Sequence, residues 1–222
     1  MLTAPFCLVM CMLLSESIGA GNPVPIDGSN INILNVNALN LSDWEEVDFN
    51  GLTNYQVKTE NKRSFLKAES KQSASGLVLK KEIDLTKTPY LNWSWRIEKG
   101  MTNLHETTKK GDDYAGRVYL IHSGGWFFWQ TKALNYVWSS RKAKGTSWPN
   151  AYAPNNALMR AVRDTSDEQG VWYSEKRHIP SDFKSWLGKE ISQIDGIAIM
   201  TDADDSKGEA IIHYGDIYFS EN

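Results

Sequence analysis

Cysteine is almost missing from this sequence: of 222 residues only Cys7 and Cys11 carry a thiol, and both lie at the extreme N-terminus. Without that stretch the chain has no disulfide, no thiolate nucleophile and no cysteine ligand for a metal, so its core alone must hold the fold. Long apolar runs are missing as well. The longest, Ala4 to Leu14, has eleven residues, well short of the roughly 20 needed for a helical membrane span, and no span is expected anywhere. Neither sign of charge dominates, with 24 basic against 27 acidic residues and a net charge of −3. That balance lacks the basic footprint of a nucleic-acid binder. Repeats, low-complexity tracts and a dividing linker are also absent from the sequence.

What is present at the N-terminus has the layout of a secretory signal peptide: the apolar run, then Ser15-Glu16-Ser17, then the small-residue ending Ile18-Gly19-Ala20. Residues 1–20 are therefore expected to be a removed leader, 21–40 an N-terminal arm or first strand, and 41–222 one domain of a periplasmic or secreted protein.

Tryptophan is plentiful, with nine copies. Most must be core, but such a chain also has aromatic surface to spend on ligands. Strand-length segments rich in β-branched and aromatic residues recur at 54–60, 63–69, 76–83, 90–97, 114–122, 133–139, 157–163, 171–178, 196–202 and 210–219. In 91–97, Leu91, Trp93, Trp95 and Ile97 share one face and Asn92, Ser94 and Arg96 the other, the mark of a strand with one buried side. Only 181–188 reads as a helix, with Ser181 or Asp182 as its cap and Gly188 as its stop. The expected fold is all-β: an antiparallel β-sandwich of jelly-roll type with one short helix.

Catalytic motifs fail on inspection. His105-Glu106 opens like a zinc-protease helix but has Lys109 where the second ligand belongs. Gly111 to Gly116 lacks the lysine and hydroxyl of a phosphate loop, and 145–149 lacks the second glycine of a serine elbow. Asp112 and Asp113, as neighbours on a strand, would point to opposite faces and cannot both flank one glycosidic bond. One of them could work with a distant carboxylate such as Glu175; otherwise they are turn carboxylates that cap backbone N–H groups. Asp202, Asp204 and Asp205 lie in a turn between two strands, where hard-cation ligands cluster, so calcium is a possible cofactor and a solvated acidic turn the alternative.

The connection from Ser140 to Asn156 carries Trp148 and Tyr152 with no periodicity to bury them, beside Arg141, Lys142 and Lys144. Aromatic platforms with nearby donors suit sugar rings. A ligand-binding cleft is thus expected from Asp113, Arg117, Asn135, Trp138, Trp148, Tyr152 and Glu175. Trp138 shares a face with Leu134 and Tyr136, which makes core its alternative.

The blocks at 91–97, 111–121 and 134–140 and the closing 196–219 together resemble the bacterial domain-of-unknown-function 3047 family across nearly the whole chain. The resemblance implies an exported protein and supplies no activity. Asp216-Ile217-Tyr218-Phe219 after an Asp-rich loop also resembles the last strand of jelly-roll carbohydrate-binding modules. The expected function is non-catalytic binding of a glycan or cell-envelope polymer, the alternative being a polysaccharide hydrolase or lyase that uses carboxylates in the same cleft.

Overall fold

The computed structural model describes residues 30–39, 41–124 and 130–222. The expected leader, residues 21–29, Trp126 and Trp129 lie outside the described residues. Two sheets form a sandwich. In the first, five strands run in the order β11 (Tyr173–His178), β6 (Tyr90–Lys99), β13 (Glu209–Ser220), β4 (Arg63–Lys71) and β3 (Asn54–Glu60), and β1 (Ile31–Leu34) pairs with the C-terminal part of β13. In the second the order is β2 (Glu45–Asn50), β5 (Ala74–Asp84), β12 (Gln193–Asp202), β7 (Arg117–His122), β8 (Lys132–Trp138), β10 (Ala157–Arg163) and β9 (Ser147–Pro149). All pairs are antiparallel except β8 with β10.

Side-chain alternation sets how the sheets face each other. Leu91, Trp93, Trp95 and Ile97 of β6 are all buried, and they meet Val118 and Leu120 of β7 and Leu134, Tyr136 and Trp138 of β8 across the interior. The aromatic rings form a connected series. Trp93 stacks on Tyr136 at 5.2 Å between centroids and meets Trp95 edge-on at 5.6 Å, and Trp95 lies 5.7 Å from Trp138. Such contacts contribute about 0.5–1.5 kcal/mol each beyond the area they bury, which suits a core that has no cross-links.

The one α-helix among the described residues, α1 (Ile179–Leu187), starts two residues before the expected span, and neither Ser181 nor Asp182 caps it. His178 is the cap, its ring accepting from the Ser181 N–H, and Pro180 sits in the first turn. Asp182 is drawn away instead, accepting from Tyr136 Oη at 2.6 Å and from the guanidinium groups of Arg160 and Arg177. Gly188 does end the helix, in the left-handed conformation (φ 73°) with its N–H on Lys184 O. Of the two alternatives for 21–40, the described part holds a first strand, β1; β2 and β9 were not expected, and β7 and β11 begin at Arg117 and Tyr173, later than expected.

Candidate functional site

At one end of the second sheet, the segment leading into β7 meets the turn after β12. Arg117 is buried there and its guanidinium is fully engaged. Nε donates to Asp202 Oδ1 at 3.0 Å, Nη2 donates to Asp202 Oδ2 and to the Asp112 carbonyl, and Nη1 donates to Tyr119 Oη at 3.1 Å. Burial alone would lower the Arg117 pKa, but Asp202 more than reverses this and holds the charge in place. Burial pushes the Asp202 carboxyl up while Arg117 pulls it back. Asp112, 3.6 Å from Nη1, is pushed up to about 6, chiefly by burial, even though Arg117 opposes the shift and Asn150 Nδ2 donates to it at 3.0 Å.

Asp113 is also buried, and it caps the neighbouring turn: it accepts from the backbone N–H groups of Asp205 (3.2 Å) and Ser206 (2.6 Å). Asp204 accepts from Asn50 Nδ2 and Asp205 from Tyr152 Oη. Carboxylate oxygens of Asp113, Asp204 and Asp205 all lie within 4.8 Å of one another, a set that could hold a cation. Asp205 is pushed up to about 6, first by burial and then by the neighbouring Asp204 and Asp113, with Tyr152 opposing; Asp113 is raised by burial, against the Ser206 hydrogen bonds. Repulsion among the three makes a proton or a metal ion welcome.

Asp113 also faces a pocket of about 100 Å³, walled by Trp138, Ser139, Asp164, Asp167 and Gln169. Glu106 stands behind one side of it and fixes Ser139 and Ser140, which line it. It is buried and accepts from Ser139 Oγ at 2.7 Å, Ser140 N at 2.6 Å and Ser140 Oγ at 3.0 Å. Asp164 accepts from Ser166 N and Oγ and from Lys144 N; Asp167 accepts from Lys144 Nζ, Arg163 Nη1 and Asp164 N. Burial raises both aspartates, but these hydrogen bonds outweigh it and hold them below the usual carboxylate range.

This framework coincides with a sequence family. Residues 42–218 match the family described as protein of unknown function, DUF3047. The chain belongs to it. No curated protein matches. Among solved structures, this DUF3047 chain is similar to Cip1, a cellulose-induced protein, at 10% identity over 84% of this chain and 94% of that one, with a TM-score of 0.50. It is similar at TM-score 0.43 to a cellulase derived from Cel12A of Rhodothermus marinus, at 7% identity over 85% of this chain and 98% of that one. A third likeness, at TM-score 0.42 and 11% identity, is to the glycoside hydrolase domain of Endo-D from Streptococcus pneumoniae R6; it covers 81% of this chain but 22% of that one. At 10% identity the likeness to Cip1 bears on the fold alone, a two-sheet sandwich of jelly-roll type. No helix among the described residues is long and apolar enough to cross a membrane.

The residues expected to form one cleft do not all meet in the DUF3047 chain. Asp113 and Trp138 face the same pocket, and Trp138 belongs to the core as well. Arg117 is spent on Asp202. Glu175 is tied to Arg163 Nε at 2.5 Å and Trp95 Nε1 at 3.2 Å. Asn135 is buried, its amide nitrogen on the carbonyls of Ala133 and Leu158. Trp148 offers no stacking platform: β9 carries it into a buried cluster with Tyr114, Val137, Met159 and Ala161. Tyr152 is half-buried, with Lys109 over its ring and its hydroxyl on Asp205. The expected metal set also changes: Asp202 pairs with Arg117, and Asp113 stands with Asp204 and Asp205 in its place. Glu106, Asp164 and Asp167 were missed. Glu106 lies in the long connection from Glu98 to Asp112, but nothing in the local pattern singles out Asp164 or Asp167.

Proposed function

We propose that this DUF3047 protein is an exported, non-catalytic binder of a glycan or cell-envelope polymer, with the Trp138 pocket as its contact point and calcium at Asp113, Asp204 and Asp205 as a structural ion. The observation that carries this reading is the lining of the pocket. An indole wall stands beside hydroxyls and carboxylates, a combination suited to the apolar face and the hydroxyls of a sugar. Asp113, Asp164 and Asp167 are each fastened to backbone N–H groups of their loops, which makes a rigid wall and leaves them poorly placed to shuttle protons. Because Asp113 belongs both to the pocket and to the acidic triad, an ion there would stiffen the wall that the sugar meets. A fold shared with a cellulose-induced protein is in keeping with this reading.

A hydrolase or lyase is the second reading. It is favoured by one observation: Asp113 is raised while Asp164 and Asp167 are lowered around one pocket, and diverging carboxylates of this kind serve acid–base pairs.

The test is a panel of envelope and plant polysaccharides against wild type, Trp138→Phe and Gln169→Ala, in calcium and in chelator. Both variants should bind at least several-fold more weakly while melting as a folded protein. Calcium should raise the melting temperature by mass action, and Asp204→Ala should remove that rise. New reducing ends or unsaturated uronates in the same tubes would make it an enzyme; no binding by wild type would reject the pocket.

A further inference from the structure

A second and larger pocket, of about 430 Å³, opens on the opposite side of the sandwich, where the chain crosses from edge strand β2 to edge strand β3. That volume lies within the range of small-molecule sites. Its walls are Leu41, Trp44, Leu52, Tyr55 and Leu77, with Glu46 as the only charged residue of the lining. Leu52, at 61% exposure, is the most solvent-exposed large hydrophobic residue described.

Glu46 stands on edge strand β2. It pairs with Leu77 across β2 and β5 and so lies on the same side of the sheet as Leu77, exposed at the mouth of the pocket, while Val47 faces the other way. Ser75 Oγ donates to Glu46 Oε1 at 3.0 Å and itself accepts from Thr53 N, so the carboxylate is held on one side and its other oxygen is unclaimed by any described hydrogen bond. The hydroxyls that might have met a sugar are turned away: Tyr55 Oη donates to Ser75 O and Thr53 Oγ1 to Thr201 O. What remains is the Glu46 carboxylate and the Asn54 amide, whose oxygen accepts from Gln56 Nε2, among one indole, one phenol ring and three leucines.

We propose that this pocket binds a small substituted ammonium ion, its alkyl groups against Trp44, Tyr55 and the leucines and its charge toward Glu46. Aromatic faces attract cations through their ring quadrupole, and a carboxylate close by adds directional charge complementarity. An alkylated ammonium is matched by apolar walls, whereas a polyhydroxylated amino sugar would leave most of its hydroxyls unpaired there. The inference does not rest on the glycan reading, since the two pockets share no residue.

The experiment titrates the full chain with choline and with its uncharged isostere 3,3-dimethylbutan-1-ol, followed by tryptophan fluorescence and calorimetry. Choline is expected to bind at least fivefold more tightly than the alcohol. Glu46→Gln should erase that preference, and Leu52→Ala should weaken both ligands, with melting curves confirming that each variant is folded. Equal affinity for the two compounds, no binding of choline at millimolar concentration, or undiminished preference in Glu46→Gln would each overturn the proposal. Trp138→Phe, which disables the other pocket, should leave choline binding unchanged.

Discussion

Trp95 is held on three sides: its ring lies 5.6 Å from Trp93 and 5.7 Å from Trp138, and its Nε1 donates to Glu175 at 3.2 Å. The alternation in 91–97 was enough to place Trp93 and Trp95 inside. Trp148 has no such pattern, because β9 is only three residues long and its burial depends on docking against β10 and Tyr114. The same holds for the aspartates. Three of them lie close together at 202, 204 and 205, but which one would be claimed by an arginine 85 positions away cannot be read from spacing. That pair makes a sharp prediction. Asp202→Asn leaves buried Arg117 with only the more distant Asp112, 3.6 Å from Nη1, as counter-charge and should cost about 3–5 kcal/mol. Replacing both partners by apolar residues, Arg117→Met with Asp202→Leu, should recover much of the loss, as measured by urea unfolding. An Asp202→Asn variant as stable as wild type would mean that Arg117 finds its compensation elsewhere.

Among the elements, the strands that alternate or run apolar were legible, and those that escaped were short or charged. β2 reads Glu-Glu-Val-Asp-Phe-Asn, so its single strongly buried position, Val47, gives no periodicity. The loop between β6 and β7 is long, and nothing in its sequence pattern shows it as a built structure. It is folded back on itself where Gly111 packs against the backbone of His105: a Cβ on Gly111 would sit 2.6 Å from the His105 carbonyl oxygen. Gly111→Ala must therefore push the two halves of the loop apart, at a cost of about 1–3 kcal/mol. Hydrogen exchange should then quicken at the amides of Asp205 and Ser206, which Asp113 caps. Unchanged exchange there would show that the loop absorbs the methyl group locally.

For the molecule as a whole, acid sensitivity has a named source on the outer face of the first sheet. His213 stacks on Phe65 at 4.1 Å, Arg96 Nη2 reaches its Nδ1 at 2.9 Å, and Glu98, Glu60 and Lys67 complete its charged surroundings. Burial, followed by Arg96, lowers its pKa from 6.5 to about 4. A histidine held down in this way binds its proton less well folded than unfolded. Its contribution is whole above about pH 6.5 and is lost as pH falls toward about 4. His213→Gln should be less stable than wild type near neutrality, and the gap should narrow by about 1–2 kcal/mol by about pH 5. Denaturant titrations at the two pH values decide it, since a gap independent of pH removes His213 as the source.

The topology also governs when this chain is able to fold. The two strands nearest the C-terminus, β12 and β13, occupy interior positions in the two sheets: β12 joins β5 to β7, and β13 joins β6 to β4 and β1. A nascent chain that has not yet reached Gln193 holds the outer strands of both sheets with nothing to link them, so neither sheet can form around its middle while synthesis is under way. Folding waits for the last thirty residues. Until they emerge, only separate pieces of the two sheets, such as β3 with β4 and β7 with β8, have their partners in the chain.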